Sequence, residues 1–183
     1  MLPNDSCMSF REKIIPWAKL PAWRAEIRAK SLRLVVTNGC FDILHLGHIT
    51  YLEAARQQGD LLLVGINSDS SVRELKGAGR PVNFQSDRAS VAAALGCVDA
   101  VCVFNERSAL QFLTAAQPDI WVKGGDYTLE SINQDERRAV EKTGGKVVIL
   151  PLVPGKSTTT LLDKITRLGG RWGWSAIAQR EDA

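Results

Sequence analysis

The chain has 183 residues, enough for one domain with a full core and too few for two ordinary ones. Apolar residues make up 45% and charged residues 23%, with 15 Gly and 7 Pro, which excludes collagen-like, disordered and coiled-coil compositions. The formal charge of +3 arises within residues 1–30, where six Lys/Arg face three acids, so the rest of the chain is neutral and offers little support for nucleic-acid binding.

No charge-free run approaches the roughly 18 residues of a membrane span. Met1–Lys30 is broken by Pro3, Pro16, Pro21 and charges, unlike the apolar stretch of a signal peptide, so a cytoplasmic location is expected. Cys7, Cys40, Cys97 and Cys102 form no C-x-x-C pair, and two histidines make poor material for zinc. Reduced, mostly buried thiols are the expectation.

Residues 1–30 are predicted to be an N-terminal helical arm, with one or two helices on the edge of a sheet. Residues 31–168 are predicted to be the main domain. There, strands over Leu32–Thr37, Leu61–Asn67, Ala100–Phe104, Ile120–Lys123 and Lys146–Leu150 are apolar on both faces, as a covered parallel sheet requires. Helical periodicity alternates with them over Gly47–Gln58, Ser86–Leu95, Ser108–Ala116 and Gln134–Thr143, and over Thr158–Leu168 after the last strand. The pattern predicts an α/β fold, a doubly wound, Rossmann-like, five-stranded parallel sheet. Residues 169–183 form a tail without a clear period. The pairs Trp17/Trp23 and Trp172/Trp174 read as packing or dimer contacts, and a homo-oligomer, a dimer, is expected.

Such sheets bind ligands at the carboxyl ends of their strands. The loops predicted there are Asn38–His48, Ser68–Asn83, Gly124–Leu129 and Val153–Thr160. In the first, His45 and His48 are the only histidines of the chain and stand three apart at a helix start, with Gly47 between them. Two imidazoles on one helical face, beside free N–H groups and a positive dipole end, suit a phosphate. Ser157-Thr158-Thr159-Thr160 is a second such cluster, its hydroxyls and first-turn N–H groups able to receive further phosphates. Lys76-Gly77-Ala78-Gly79-Arg80 reads as a Gly-rich loop, Arg88 as a fork for phosphate or carboxylate, and Lys123-Gly124-Gly125-Asp126-Tyr127 as either a turn or a site. Gly155-Lys156-Ser157 lacks the earlier glycine of a P-loop, since Leu150 stands there, and no GxGxxG is present.

The run Thr37-Asn38-Gly39-Cys40-Phe41-Asp42-Ile43-Leu44-His45-Leu46-Gly47-His48 resembles the HxGH signature of the cytidylyltransferase-like nucleotidyltransferases. Leu75-Lys76-Gly77, Arg80-Pro81-Val82-Asn83, Arg88, Val98-Asp99, Lys123 to Tyr127 and Ser157-Thr158-Thr159 resemble, in order, the adenylyltransferase domain of bacterial ADP-heptose synthases. The likeness runs from about Leu34 to Ile165. It implies that a heptose 1-phosphate attacks ATP with Mg²⁺ present, giving ADP-heptose and pyrophosphate for a surface glycan such as lipopolysaccharide. His45, His48 and Lys76 would then be catalytic. Asn38, Gly39, Cys40, Phe41, Gly47, Arg88, Lys123, Gly125, Ser157, Thr158 and Thr159 would bind the nucleotide. Asp42, Arg80, Asp126 and Tyr127 would bind the second substrate, and the metal would be held mainly by phosphates.

Related synthases often carry a sugar-kinase domain before this one. Residues 1–30 leave no room for it, so the kinase step is expected elsewhere. Rival readings are transfer of CMP to glycerol phosphate or a similar alcohol phosphate, and a nucleotide-binding module without turnover. A class I aminoacyl-tRNA synthetase core would need a KMSKS-like loop and a tRNA-binding domain.

Overall fold

The computed structural model describes residues 9–125, 127–151 and 158–172, the side chains at 159 and 169–172 excepted. Five strands, β1 (Leu34–Gly39), β2 (Leu61–Asn67), β3 (Ala100–Phe104), β4 (Ile120–Gly124) and β5 (Lys146–Leu150), form one parallel sheet in the order β3-β2-β1-β4-β5. Among the described residues, seven α-helices flank it: α1 (Leu20–Ala29), α2 (Leu46–Arg56), α3 (Asp69–Lys76), α4 (Gln85–Ala93), α5 (Leu110–Ala116), α6 (Gln134–Lys142) and α7 (Thr158–Trp172). The predicted doubly wound α/β sheet is the one found. Strand order reverses at β1, between β2 and β4, which places a crevice at the carboxyl ends of β1 and β4.

Residues of alternate parity enter opposite cores, because side chains alternate along a strand. Leu34, Val36, Leu63, Cys102, Phe104 and Trp121 pack under α1, α5 and α6. Val35, Leu62, Val64, Ile66, Val101 and Val122 pack under α2 and α4. Gly65 faces the first core, where an added Cβ would overlap the ring of Phe112, itself stacked on Phe104 at 5.1 Å.

At the amino ends of the strands, three aspartates take backbone N–H groups that the ladder leaves over. Asp60 accepts from Arg33 N at 2.7 Å, Asp119 from Leu34 N at 2.7 Å and Asp99 from Leu62 N at 2.8 Å. Asp119 also pairs through both oxygens with Arg24 of α1, and Asp99 with Arg56 of α2 at 2.7 Å, so helices are tied to the same pole of the sheet.

Residues 9–19 pack along the β3 edge. A 3₁₀ turn (Phe10–Lys13) leads to Ile14, which bridges Val101 in parallel, and a second turn (Trp17–Lys19) leads into α1. Leu20 and Ile27 of α1 join the core, Trp23 packs against it, and Trp17 is 39% exposed. Cys40 and Cys97 are half-buried free thiols and Cys102 is a buried one, while Cys7 lies outside the described residues.

One element differs from the sequence reading. Ser68–Asn83 was expected as loop throughout, but Asp69–Lys76 is α3, with the Ser68 hydroxyl accepting from Ser71 N at 3.3 Å and Val72 buried beneath it. The N-cap and the first-turn acid are ordinary helix starts; the polar composition masked them. The Gly-rich stretch proper begins at Gly77, whose φ of 96° ends the helix.

The close approach at Gly65 yields a prediction: Gly65→Ala should destabilise the protein by about 1–3 kcal/mol through overpacking against Phe112. Urea unfolding against wild type checks it, and an unchanged midpoint would mean that the Phe112 ring shifts without cost.

Candidate active site

β1 ends in a turn that a folded chain must be made to adopt. Phe41 has φ of 45°, a conformation unfavourable for a bulky residue, and its ring is buried in the second core. The same ring lies 5.5 Å from His48 and would sit 3.1 Å from a Cβ at Gly39, which explains the glycine. Burying Phe41 thus turns the chain so that α2 starts at the crevice.

No side chain caps α2. His45 is its extended N-cap residue, its carbonyl accepting from His48 N at 2.9 Å, and the remaining first-turn N–H groups are available to an anion. The imidazoles of His45 and His48 stack at 3.9 Å with 26° between planes. Burial, then the charge of His45, lowers the His48 pKa from 6.5 to about 4, and its Nδ1 is buried without a hydrogen-bond partner. Two cations cannot share this spacing cheaply, so without a ligand the pair stays short of double protonation; an anion beside it relieves the repulsion.

One turn later, Tyr51 ties α2 to the sheet. Its hydroxyl accepts from Thr37 Oγ1 at 2.6 Å and donates to the Val122 carbonyl at 3.0 Å. A Cβ at Gly124 would come within 2.6 Å of the Tyr51 ring, so the end of β4 must be glycine for α2 to seat. Asn38 Oδ1 accepts from Trp121 Nε1 at 3.0 Å and links the end of β1 to the neighbouring β4.

These groups line a cavity of about 620 Å³ at the strand ends. It brings together the expected Asn38, Gly39, Cys40 and Phe41 with His45, Gly47 and His48. It adds Lys76 from the end of α3, Asp42 and Arg80 from facing loops, Lys123 and Tyr127 at β4, and Thr158 at the start of α7. Lys123 Nζ lies 5.4 Å from the Trp121 ring and 5.1 Å from the Tyr127 ring. Burial lowers its pKa, with Glu136 and Cys40 pulling the other way. Burial pushes the Cys40 thiol up, against the charges of Lys76, Arg88 and Arg80. Gly125 has φ of 110° and donates its N–H to Leu150 O, turning the chain beside the cavity. Asp126, Ser157 and the side chain of Thr159 lie outside the described residues.

Two residues expected to touch ligands are occupied otherwise. Arg88 does not line the cavity. Its side chain is fully buried and donates to Cys40 O at 2.6 Å, Asn83 O at 3.0 Å and Asp69 Oδ1 at 2.8 Å, so its fork is spent on protein acceptors. Asp42 lies at the cavity wall, but its carboxylate takes Arg80 Nε at 2.6 Å and the N–H groups of Val82 and Asn83. Burial alone would raise its pKa; the Asn83 and Val82 N–H groups and Arg80 outweigh that and hold it low. Both residues clamp the 77–84 loop to the turn after β1.

Sequence reading missed part of the lining: Tyr51, Asn67, Arg107, Asn133 and Glu136. Tyr51 was within reach, three residues beyond His48 on one helical face. Glu136 was not, since an acid after the Asn133 N-cap reads as an ordinary helix start; only packing shows it 7% exposed, accepting from Ser108 Oγ and Ala109 N.

The His48 environment predicts a pH effect with a definite sign. Its folded pKa lies below the unfolded value, so its contribution to stability is complete above about pH 6.5 and is lost as pH falls toward about 4. NMR titration of the His48 ring should show a midpoint near 4 in the ligand-free protein and a higher one with a bound triphosphate. A ligand-free midpoint near 6.5 would mean that the imidazole is solvated.

The cytidylyltransferase-like family profile matches residues 36–164. Among curated proteins, the bifunctional protein HldE of Mesorhizobium japonicum is 54% identical over 144 residues, 79% of this chain and 28% of the relative. HldE of Trichlorobacter lovleyi is 51% identical over 138 residues, 75% and 28% respectively. HldE of Koribacter versatilis is 49% identical over 163 residues, 89% and 33%. The chain therefore spans a third or less of the length of these relatives. A solved lipopolysaccharide core biosynthesis protein from Thermoplasma volcanium superposes with a TM-score of 0.55 at 30% identity, covering 67% of this chain and 97% of that one. A pantoate-beta-alanine ligase from Francisella tularensis, at 12% identity and TM-score 0.51 over 75% of this chain and 66% of that one, shares the fold alone. With its HxGH histidines at the mouth of the β1/β4 crevice, the chain belongs to the cytidylyltransferase-like family of nucleotidyltransferases.

Proposed function

We propose that this domain joins ATP and a heptose 1-phosphate, releasing pyrophosphate and ADP-heptose. The observation that carries the reading is the stacked His45/His48 pair at the uncapped start of α2, in one cavity with Lys76 and Lys123. The adenylyl and heptose specificity rests on the relatedness to HldE over the matched region.

The acceptor phosphate has a second pKa near 6 and is already a nucleophile at pH 7, so no general base is required. One of its oxygens forms a bond to the α-phosphorus of ATP as the bond from that phosphorus to the bridging oxygen breaks, and the electron pair leaves with pyrophosphate. The protein's work is alignment and charge stabilisation. His45 and His48 donate to the phosphates beside the first turn of α2. Lys76, exposed at the end of α3 next to Gly77, brings a point charge to the same phosphates. Thr158 and the first turn of α7 offer a second set of donors.

Among the described residues, no three of His, Cys, Asp and Glu converge as a metal cage, and the Asp42 carboxylate already holds Arg80 and two N–H groups. The residues thus fit Mg²⁺ carried on the triphosphate, where it would neutralise pyrophosphate charge. No helix among the described residues is long and apolar enough to cross a membrane.

The test is pyrophosphate release with each of the four nucleoside triphosphates against a panel of sugar and polyol phosphates. Release with ATP and a heptose 1-phosphate, lost when Mg²⁺ is omitted, is expected. Preference for CTP would remove the heptose reading, and silence with every pair would favour a binding module. Lys76→Ala should lower kcat by about 10²–10³ while leaving Tm unchanged, as for loss of one charge-stabilising donor on an exposed segment. Wild-type kinetics in that variant would make Lys76 a solvated surface residue.

A further inference from the structure

The cavity has two unlike walls. One belongs to the α2 side of the sheet and carries His45, His48 and, from α7, Thr158. The other comes from the segments around α5 and α6, on the opposite face, and carries Arg107, Asn133 and Glu136. In-line transfer requires the attacking and leaving oxygens to lie on opposite sides of the α-phosphorus. With the leaving pyrophosphate against the helix starts of α2 and α7, the acceptor must arrive from the α5/α6 wall.

That wall holds a carboxylate where a triphosphate would be repelled. Glu136 is 7% exposed and lines the cavity. Ser108 Oγ at 2.9 Å and Ala109 N at 2.8 Å both donate to its Oε1. A carboxylate offers about four acceptor positions, so capacity remains for donors in the cavity. Hydroxyl groups supply such donors without charge repulsion. Lys123 and Arg107 line the same cavity and offer cations for the one phosphate that such an acceptor carries.

Resting on the adenylyl-transfer reading, we infer that Glu136 is the specificity-determining residue for a polyhydroxylated acceptor, taking hydroxyl hydrogen bonds on the α5/α6 wall while Arg107 and Lys123 meet its phosphate. On this reading the nucleoside of ATP lies away from this wall.

Calorimetry tests the inference without depending on turnover. A sugar 1-phosphate is titrated into the full chain saturated with a non-hydrolysable ATP analogue, and the analogue is titrated separately. Glu136→Gln keeps an oxygen for Ser108 and Ala109 but loses charge and acceptor capacity. It should weaken the sugar phosphate by about tenfold or more and leave the analogue within about twofold of wild type. Arg107→Gln, on an exposed loop position, should weaken the sugar phosphate in the same direction and guards against a folding defect in the first variant. Unchanged sugar-phosphate binding in both variants overturns the inference, as does weakened binding of the analogue alone, which would place the nucleoside on this wall. If wild type binds the analogue but no sugar phosphate, the inference is also overturned. If wild type binds both and Glu136→Gln loses only the sugar phosphate, the inference stands even where no pyrophosphate is released, and the transfer reading alone fails.

Discussion

A guanidinium buried in a protein must find acceptors for its donors, and Arg88 finds them in three separate segments: the turn after β1, the start of α3 and the loop before α4. Its planar fork makes the geometry unforgiving. The Cys40 carbonyl is thereby set, and with it the turn that delivers Phe41 to the core and His45 to the crevice. Asp42 performs the complementary task from the other direction, an anion collecting Arg80 and two backbone N–H groups of the facing loop. Between them these two side chains join a loop holding cationic groups to a turn holding imidazoles. Neither needs to touch a substrate for the site to depend on it.

The sheet has two poles with opposite chemistry. At the amino ends, Asp60, Asp99 and Asp119 take the leftover N–H groups and bind arginines of flanking segments, with Arg24 Nη1 buried there without a partner. At the carboxyl ends, the first turn of α2 has no side-chain cap and His48 keeps a buried Nδ1 without a partner. Unspent hydrogen-bonding capacity in a cavity is costly to fold around and is recovered when an anion enters. The depressed pKa of His48 has the same origin: burial, then the charge of His45, disfavours the charged imidazole.

Regular elements were legible where pattern and environment agree. β2, β3 and β5 fall where their apolar runs lie, because runs of consecutive apolar residues mark the limits of strands in a parallel sheet. β1 extends two residues past its apolar run, to Gly39, because Asn38 and Gly39 pair with Gly65 and Ile66 across the ladder, a constraint from β2. α3 is not legible as a period because Val72 is its only buried apolar residue, too sparse a stripe to register.

What the amino-acid sequence determined by itself is the alternation of elements, the pole at which the cavity opens and the close spacing of the histidine pair, since local spacing carries each of these. Tertiary structure alone decided the rest. Arg88 could serve a phosphate or a carboxylate with equal ease in a sequence, and burial beside Asp69 and Cys40 commits it to protein. Glu136 looks like a helix-start acid until α5 brings Ser108 and Ala109 against it and the cavity opens on its other side. The partners lie 19, 48, 28 and 27 residues away along the chain. A side chain's role is set by the free energy of its neighbours, and neighbours that distant exist only once the sheet has formed.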